Sequence, residues 1–371
     1  MSISAPKVAI TTMLKNPDEG FESFLSYHLR TGFAHVFLFF DDPEDPSIAR
    51  VPADPRFTVV RCDERLRRRW QRTQAFARLD FVREHIEDEL IARQTLNAEV
   101  ALGLALDGGF DWLLYVDTDE LFYSPGLAPV EHFARMSASG VRRVKYLNYE
   151  AIPERAHVRD YFREVTLFKV NPQCFEGGAL GDAHRRLLAG LSQIPDKFFY
   201  FYQQGKSAVR LCEGIMPVGA HDFLLPEELE GRPLLRTEPI SPAGEEGLSY
   251  RLSVDPASGR SFKTAVSRSP LVLHYPCCGF GNFWSRYKTL GGFGDKWFGS
   301  QDITARQGPY HTAARDVVAS GDARAAEQFY RERNVLEDES VVLRLMEAGL
   351  LQRIVEPSRL LSVHSFEREG G

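Results

Sequence analysis

The stretch DWLLYVDTDELFY, Asp111 to Tyr123, joins an apolar segment to a dense cluster of acids. Its first half is apolar enough to be the interior of a buried strand. Its second half places three carboxylates, Asp117, Asp119 and Glu120, within four residues. Unprotonated carboxylates so close together repel one another unless a cation or a proton lies between them. The stretch therefore predicts a charged site at the end of a buried strand.

The residues before this stretch predict an open α/β sheet. Apolar or β-branched runs predict strands at 8–12, 35–40, 57–61 and 112–116, and helical periodicity predicts helices at 21–29 and, with a break, about 65–106. Acids follow two of these strands. A β-α-β-β-α-β order is typical of a doubly wound sheet, in which ligands bind beyond the carboxyl ends of the strands.

The pattern changes after Pro125. Short strands are predicted at 141–149, 165–170, 198–202, 207–211 and 271–275, and we expect them to complete a mixed sheet. Residues 226–268 are rich in Pro, Gly, Ser and Glu and predict an irregular excursion. Residues 283–290 and the last stretch of about 65 residues predict helices.

Composition limits the classes of function. The net charge of −6 over 371 residues argues against a general nucleic-acid binder. The five cysteines fit neither a zinc site nor a disulfide framework, which indicates reduced thiols. The N-terminus has no apolar stretch like that of a signal peptide, and no run approaches the ~20 apolar residues of a membrane span. We therefore expect a soluble, cytoplasmic protein.

The acids of the D-x-D stretch are candidate ligands of a metal ion. Oxygen ligation suits Mg²⁺ and Mn²⁺, which keep coordination positions open for phosphate oxygens. The hypothesis is that Asp117, Asp119 and Glu120 hold a divalent ion that binds a diphosphate. The alternative is a solvated acidic turn that caps the next segment.

Two enzyme classes use such a motif. In haloacid-dehalogenase-type phosphatases, a D-x-D-x-T follows the first strand, with one Asp as nucleophile. Here more than a hundred residues of α/β pattern precede Asp117, and Leu121 stands where the Thr is expected. In nucleotide-sugar glycosyltransferases of the GT-A fold the D-x-D lies mid-domain. The order of elements favours the second class.

Several short motifs, in order, resemble GT-A glycosyltransferases of the family-92 type and their bacterial relatives, related to family 2. They are VAITTMLKN with the later Glu22, Tyr27, His28 and Gly32, then HVFLFFDD, DWLLYVDTDELFY, GKSAVR with His221, and LHYPCCGFGNFWSRYKTLGG. The resemblance spans roughly residues 8–297. It departs at KNPDEG, where relatives have a tighter Lys-Asn-Glu run, and at the Cys pair after His274.

The resemblance implies a fold, a division of the chain and a reaction. The expected fold is GT-A-like: a mixed, mostly parallel central sheet flanked by helices. Residues 1–300 would form the transferase domain, with a nucleotide-binding half at about 1–124 and an acceptor half at about 125–300, and 301–371 a helical extension. The reaction would move a sugar, as a hexosyltransferase does, from a nucleotide sugar, with a UDP-sugar preferred, to a hydroxyl of a glycan or other acceptor, with inversion. A non-catalytic nucleotide-binding protein of the same fold is the remaining alternative.

The same resemblance assigns candidate roles. The metal, Mn²⁺ or Mg²⁺, would be held by Asp119 and Asp117 with a late histidine, His274 first and His221 as the alternative. The candidates for contact with the nucleotide sugar are Thr11, Thr12, Lys15, Asp41, Arg93, Gln94, Asn97, Asp117, Lys206 and Arg210. For Asp41 and the polar residues of the preceding helix, a turn or an exposed face is the competing interpretation.

The catalytic base and the role of the one basic cluster stay open. An inverting transfer needs a carboxylate base within hydrogen-bond reach of the acceptor hydroxyl. Asp222 is the first candidate for that catalytic role, with Glu213 and Asp182 as rivals.

The run ERLRRRWQR, at 64–72, is the one strongly basic cluster. It could contact an anionic acceptor or a peripheral membrane surface, and it could equally be a solvated helix face.

Overall fold

The structure is a computed structural model that describes residues 5–175, 180–191, 204–229, 250–254, 261–265, 270–294, 296–297, 301–302 and 308–363. Its strands are β1 (Val8–Leu14), β2 (His35–Phe40), β3 (Phe57–Arg61), β4 (Trp112–Tyr115), β5 (Glu120–Tyr123), β6 (Arg143–Tyr146), β7 (Asn148–Ala151), β8 (Leu167–Lys169), β9 (Lys206–Arg210), β10 (Met216–Val218), β11 (Asp222–Leu224), β12 (Tyr250–Val254), β13 (Ser261–Ala265), β14 (Leu271–His274), β15 (Lys296–Trp297), β16 (Gln301–Asp302) and β17 (Leu351–Arg353).

The helices alternate with the strands in the first third of the chain and dominate its C-terminal part. They are α1 (Phe21–Arg30), α2 (Glu64–Trp70), α3 (Gln74–Arg78), α4 (Asp80–Glu84), α5 (Leu90–Asp107), α6 (Pro129–Ala138), α7 (Tyr161–Glu164), α8 (Asp182–Ala189), α9 (Pro226–Leu229), α10 (Phe280–Leu290), α11 (Gly308–Ala319), α12 (Ala323–Asn334), α13 (Glu339–Glu347) and α14 (Glu356–Ser362). The predicted helical region at 65–106 is confirmed, with breaks that divide it into α2 to α5.

The central sheet has six strands in the order β3-β2-β1-β4-β9-β6. Strands β1 to β4 are parallel, and β9 runs antiparallel to both β4 and β6. The mixed, mostly parallel sheet flanked by helices confirms the predicted fold class. Because β1, β2 and β4 are parallel, the segments that follow Leu14, Phe40 and Tyr115 meet at one edge of the sheet, here called the carboxyl edge.

A second sheet, in the order β17-β8-β7-β14-β5, adjoins this edge. Strand β5 follows β4 along the chain but pairs antiparallel with β14 in the second sheet. The acidic residues Asp117 and Asp119 therefore lie in the short connection between two sheets, and not at the end of a single long strand. The sequence analysis did not predict β5, because four residues are too few to show a periodicity.

Two apolar layers cover the faces of the central sheet. Alternate residues of β1 enter different clusters: Val8 and Ile10 pack in one, and Ala9 and Met13 in the other. Successive side chains of a strand point to opposite faces, so a strand covered on both sides must be apolar throughout. This is why β1 has no exposed residue and why the sequence near it shows no alternation.

The predicted strand at 141–149 is divided in the structure. Its first part, β6, pairs with β9 in the central sheet, and its second part, β7, pairs with β14 and β8 in the second sheet. The chain passes from one sheet to the other at Leu147. The Asn148 side chain holds the crossing, because its Oδ1 accepts a hydrogen bond from the backbone N–H of Gly205 at 3.2 Å.

Other predictions differ in extent. The prediction that 226–268 is wholly irregular is wrong for the described part, since α9 lies there and β12 pairs antiparallel with β13. The predicted strand at 198–202 lies outside the described residues. The predicted C-terminal helices are present as α11 to α14, but β17 between them pairs with β8 and extends the second sheet. No helix in the described part of the chain is long and apolar enough to cross a bilayer.

The crossing between the sheets predicts a strong effect of a single methyl group. Gly205 has φ +63°, and a Cβ there would lie 1.9 Å from the carbonyl oxygen of Tyr146. We expect Gly205→Ala to lower the free energy of unfolding by about 3 kcal/mol or more, through strain and overpacking. Urea denaturation monitored by circular dichroism measures the loss.

The matched control is Gly103→Ala in α5, where a Cβ would meet nothing within 4 Å. That substitution should raise stability by up to about 1 kcal/mol, because alanine restricts the unfolded chain more than glycine does. Equal stability of the two variants would contradict the close approach of Gly205 to the Tyr146 carbonyl group.

Candidate functional site

The acidic turn between β4 and β5 is closed by its own backbone. The Glu120 N–H donates to the Asp117 carbonyl at 3.0 Å, and the Asp117 N–H donates to the Glu120 carboxylate at 2.8 Å. The carboxylates of Asp117 and Asp119 contact different cations, Lys206 and Arg286. The turn presents two separate acidic positions to the carboxyl edge.

Helix α1 fixes the position of β5 and hence of the turn. Tyr27 Oη donates to the Phe122 carbonyl at 3.1 Å, and the Phe122 N–H donates to His28 Nε2 at 3.3 Å. Burial lowers the pKa of His28 to about 3, so its imidazole is neutral and can accept this bond. Its Nδ1 lies 3.0 Å from the Phe24 carbonyl, which makes Nδ1 the protonated nitrogen. Tyr27 and His28 of the quoted motif thus hold the second sheet against α1.

The first acidic position is occupied by a buried lysine. Lys206, at the start of β9, is 1% exposed, and its Nζ lies 2.5 Å from Asp117 and 3.6 Å from Glu120. The ammonium also lies 5.2 Å from the centre of the Tyr115 ring. Gln94 Nε2 of α5 donates to the other oxygen of Asp117 at 3.2 Å. The structure thus brings three sequence-predicted residues, Gln94, Asp117 and Lys206, into one group.

The second acidic position joins two elements that are distant in sequence. Asp119 Oδ2 lies 2.7 Å from Arg286 Nη1 of α10 and 3.7 Å from His274 Nε2 at the end of β14. His274 Nδ1 lies 3.7 Å from Glu150, which in turn pairs with Lys169 Nζ at 2.9 Å. The result is a row of alternating charges that runs from α10 through the turn into the second sheet.

Burial and neighbouring charges compete at each of these groups. Burial raises the pKa of Glu120 to about 7, although Lys206 lowers it. Burial would lower the pKa of His274, but Asp119 and Glu150 raise it to about 10. Burial alone would raise the pKa of Asp119, yet His274 and Arg286 hold it below its usual range. The site therefore combines an ionised Asp119 and a protonated His274 with Glu120, whose carboxyl group titrates near neutral pH.

A further carboxylate, Asp18, lies in the loop after β1. It accepts hydrogen bonds from the Gly20 N–H at 2.8 Å, from Tyr161 Oη at 3.0 Å and from the Asn282 side chain. Burial raises its pKa to about 6, despite the hydrogen bonds from Gly20 and Tyr161. Asn282 and Arg286 lie four residues apart on α10, so one face of this helix contacts both Asp18 and Asp119.

The predicted nucleobase and ribose contacts lie at the ends of β1 and β2. Asp41 forms an ion pair with Arg93 of α5 at 2.7 Å, and both side chains are largely buried. Lys15 is exposed in the loop after β1. Thr11 and Thr12 are fully buried within β1, and among the described residues neither hydroxyl has a hydrogen-bond partner. Asp41 and Arg93 are thus joined at the carboxyl edge, while both threonines lie inside the sheet.

Some predicted residues are placed elsewhere. Asn97 is buried, where its side chain accepts from Trp70 Nε1 at 2.9 Å. Arg210 is opposite Trp112 in the β4–β9 register, so it lies at the far end of β4 from Asp117. His221 Nδ1 lies 2.8 Å from the Gly205 carbonyl, and burial lowers its pKa well below the usual range. Of the two candidate histidines, only His274 has a described contact with Asp119.

The candidate base Asp222 belongs to a buried ion-pair network. Its carboxylate lies 3.4 Å from Lys145 Nζ and 3.8 Å from Arg143 Nε, and it accepts from Ser207 Oγ at 3.1 Å. Its side chain is 1% exposed. A base role would require this side chain to become exposed when an acceptor binds. The rivals Glu213 and Asp182 are both exposed and have no described contact with the acidic turn.

The donor atoms that are in place fit a magnesium- or manganese-type ion. No group of three or more His, Cys, Asp or Glu side chains within the described ranges is arranged to hold a metal. A pair is present, because Asp119 Oδ2 and His274 Nε2 are 3.7 Å apart and can both reach one ion. The carboxylate oxygen suits Mg²⁺ or Mn²⁺. His274, whose pKa its acidic neighbours raise to about 10, would have to release its proton before Nε2 could bind an ion.

Four residues of this arrangement were missed from the sequence: Asp18, Glu150, Lys169 and Arg286. Glu150 and Lys169 belong to strands that the sequence analysis placed only approximately. Arg286 lies 167 residues from Asp119 along the chain, in a predicted helix to which no site residue was assigned. The signal for Asp18 was present, since KNPDEG was noted as a departure from the related sequences.

The amino-acid sequence is similar to two plant proteins described as glycosyltransferase-like. A glycosyltransferase-like protein of Arabidopsis thaliana is 25% identical over 368 residues, which cover 95% of this chain and 71% of that protein. A second one from the same plant is 24% identical over 359 residues, covering 95% of this chain and 62% of that protein. No protein-family model matches the chain. Glycosyltransferase-like relatives over nearly its whole length support assignment as a glycosyltransferase.

Among solved structures the likeness is slight. Core-mannan synthase A from Aspergillus fumigatus, solved in an Mn/GDP form, is 12% identical, with 53% of this chain and 51% of that chain covered and a TM-score of 0.23. The 4-diphosphocytidyl-2C-methyl-D-erythritol synthase from Anaerococcus prevotii is 12% identical, with 56% and 71% covered and a TM-score of 0.22. TM-scores of this size show no close correspondence of whole folds.

The buried lysine gives a stability prediction. Lys206→Met keeps most of the side-chain volume but leaves Asp117 and Glu120 without their shared cation. We expect a loss of about 3–5 kcal/mol, as for other broken buried ion pairs. Chemical denaturation at neutral pH measures it. Arg210→Met, the same charge change at the exposed end of the same strand, should stay within about 0.5 kcal/mol of wild type. Losses of equal size would contradict the ion-pair assignment.

Asp18 gives a prediction for the pH dependence of stability. Its pKa is about 6 in the folded protein against 3.8 ordinarily, so its favourable contribution is complete below about pH 4 and is lost as pH rises through 6. Asp18→Asn cannot ionise. The stability of this variant relative to wild type should therefore rise between pH 4 and 7, by up to about 3 kcal/mol.

Urea denaturation at a series of pH values measures this difference. Asp107→Asn, at the exposed end of α5, is the control and should follow the wild type throughout. A relative stability of Asp18→Asn that stays constant or falls with rising pH would show that the carboxyl group is not held as described.

Proposed function

We propose that the protein is a metal-dependent glycosyltransferase that moves a sugar from a nucleotide sugar to a hydroxyl of a glycan or other acceptor, with inversion. The supporting observation is the convergence of Asp117, Asp119, His274, Lys206 and Arg286 at the carboxyl edge of a parallel sheet. This is the edge at which open α/β sheets bind ligands. We propose a UDP-sugar as the first donor to test.

The chain supplies the groups that such a donor needs. The Asp41–Arg93 pair beside β2 offers a carboxylate and a guanidinium to a base or ribose hydroxyl. Lys206 and Arg286 lie beside the acids of the turn, where they can stabilise charge that develops on a leaving diphosphate. Because both cations are held by carboxylates, they are positioned before a donor binds and little reorganisation is required.

Asp119 and His274 are the residues that would hold the divalent ion, with Asp117 as the further candidate. When bound, Mn²⁺ or Mg²⁺ would supply Lewis-acid stabilisation of the diphosphate. Glu150 orients His274 from the opposite side of the ring, and Lys169 in turn holds Glu150. Such partners of a ligand histidine commonly tune its affinity for metal.

Ligand binding tests the proposal without an acceptor. At 100 times the dissociation constant, a ligand adds about 2.7 kcal/mol to stability. For a chain of this length we expect UDP with Mn²⁺ to raise Tm by about 3–6 °C. Asp119→Asn should abolish the part of the rise that needs Mn²⁺, and the exposed Asp107→Asn should leave it unchanged. Differential scanning fluorimetry measures the Tm shift of the wild type and of both variants.

Three results would overturn the proposal. If no nucleoside diphosphate raises Tm in the presence of Mn²⁺, the chain does not bind this class of donor. If phosphate is released from simple phosphate esters in a way that requires Asp117, the phosphatase alternative is correct. Nucleotide binding with hydrolysis of no nucleotide sugar and transfer to no acceptor would identify a non-catalytic binding protein.

A further inference from the structure

The exposed face of α2 carries four arginines, Arg65, Arg68, Arg69 and Arg72, here called the arginine stripe. All four are exposed. Spacings of three, four and seven residues place them on one side of the helix and the turn that follows it. We propose that the arginine stripe is a docking surface for a membrane that contains anionic phospholipids.

The opposite face of α2 anchors the stripe in the fold. Leu66 and Trp70 are buried in the apolar layer on one face of the central sheet. Trp70 Nε1 also donates to Asn97 of α5 at 2.9 Å. The helix is therefore held firmly, and its arginines present a surface of fixed position. A buried apolar face with a polar outer face is usual for a helix of a globular protein. What distinguishes α2 is that its outer face is basic.

The stripe lacks acidic partners of its own. Among the described residues, no carboxylate lies within 4.0 Å of any of its guanidinium groups, whereas Arg67 on the side of the same helix pairs with Glu87 at 2.5 Å. Surface arginines in the rest of this acidic chain are often paired, as Arg56 is with Asp54 at 2.6 Å. Four unpaired like charges in a row repel one another, so an external anionic partner would stabilise them.

The chemistry and shape of the stripe favour a lipid surface as that partner. Guanidinium groups bind phosphate in a bidentate manner and are weakly hydrated. The stripe lies on a convex helix and contains no aromatic side chain on which a sugar or a base could stack. A row of arginines without a cleft suits phosphates arranged in a plane, and basic clusters of four or more residues bind anionic leaflets.

The position of α2 relates the stripe to the candidate site. Helix α2 begins three residues after the carboxyl end of β3, at the same edge as the acidic turn. Glu87, the partner of Arg67, also supplies a backbone carbonyl to Arg93 at 3.2 Å. A protein docked through α2 would hold this edge beside the lipid. If the proposed function holds, an acceptor carried by the membrane would be within reach of the site.

Vesicle binding tests the proposal independently of catalysis. The full chain is incubated with vesicles of phosphatidylcholine alone or of an equal mixture with phosphatidylglycerol, and the bound fraction is measured by flotation. We expect binding only to the anionic vesicles, with loss at about 0.5 M salt as the charges are screened. Replacing the four arginines by glutamine should lower the partition coefficient several-hundred-fold, or about five-fold per arginine.

The matched control replaces four exposed arginines of the C-terminal helices, Arg324, Arg333, Arg344 and Arg359, by glutamine. It changes net charge equally and should retain binding. Thermal unfolding and the Tm shift with UDP and Mn²⁺ check that both variants are folded and that failure of docking is separate from failure of the proposed function.

Three outcomes would overturn the proposal. The first is that the wild type does not bind anionic vesicles at low salt. The second is that the two quadruple variants lose binding equally. Binding to a soluble anionic polysaccharide such as heparin, with none to vesicles, would assign the stripe to a different partner.

Discussion

A buried ammonium group joins the two sheets of this protein at the point where they meet. Lys206 begins β9 of the central sheet, and its Nζ contacts Asp117 and Glu120 on the turn that leads into the second sheet. Without this cation, the buried carboxylate of Glu120 would lie beside the partly exposed carboxylate of Asp117 with no shared counter-charge, which is unfavourable. The turn can therefore hold its acids inside the fold only because β9 runs antiparallel to β4 and starts at the carboxyl edge. The position of this cation beside the acids depends on that strand order.

From that pair the charges continue in a regular sequence. Arg286 and His274 contact Asp119, Glu150 contacts His274, and Lys169 contacts Glu150. Asp119, His274, Glu150 and Lys169 have little contact with water, so each is stabilised by its charged neighbours.

The sequence was sufficient for the parts of this arrangement that depend on local pattern. The parallel strands, α1 and the helical region that contains α5 were predicted, because burial on both faces makes strands such as β1 and β2 apolar throughout. The acids were expected at the end of β4, but the turn into β5 was not. Pairing between distant segments was not predictable. Arg286 reaches Asp119 only through the packing of α10, and the division at Leu147 depends on Gly205, which lies far away in sequence. The placement of Arg210 needed the β4–β9 register, which a sequence alone does not give.

Helix α10 connects the candidate site to the C-terminal helices. At its N-terminus the Gly279 N–H donates to Tyr330 Oη of α12 at 2.6 Å, and near its C-terminus Tyr287 Oη contacts His311 Nδ1 of α11, also at 2.6 Å. Its inner face contacts Asp18 and Asp119. Helices α11 and α12 therefore support the position of α10, which in turn contacts the acidic turn. Substitutions on the exposed surface of α11 and α12 leave the position of α10 unchanged. A change in the size of the side chains that pack against α10 would move α10 and with it the guanidinium of Arg286. Such substitutions in α11 and α12 should therefore occur together with compensating ones in α10.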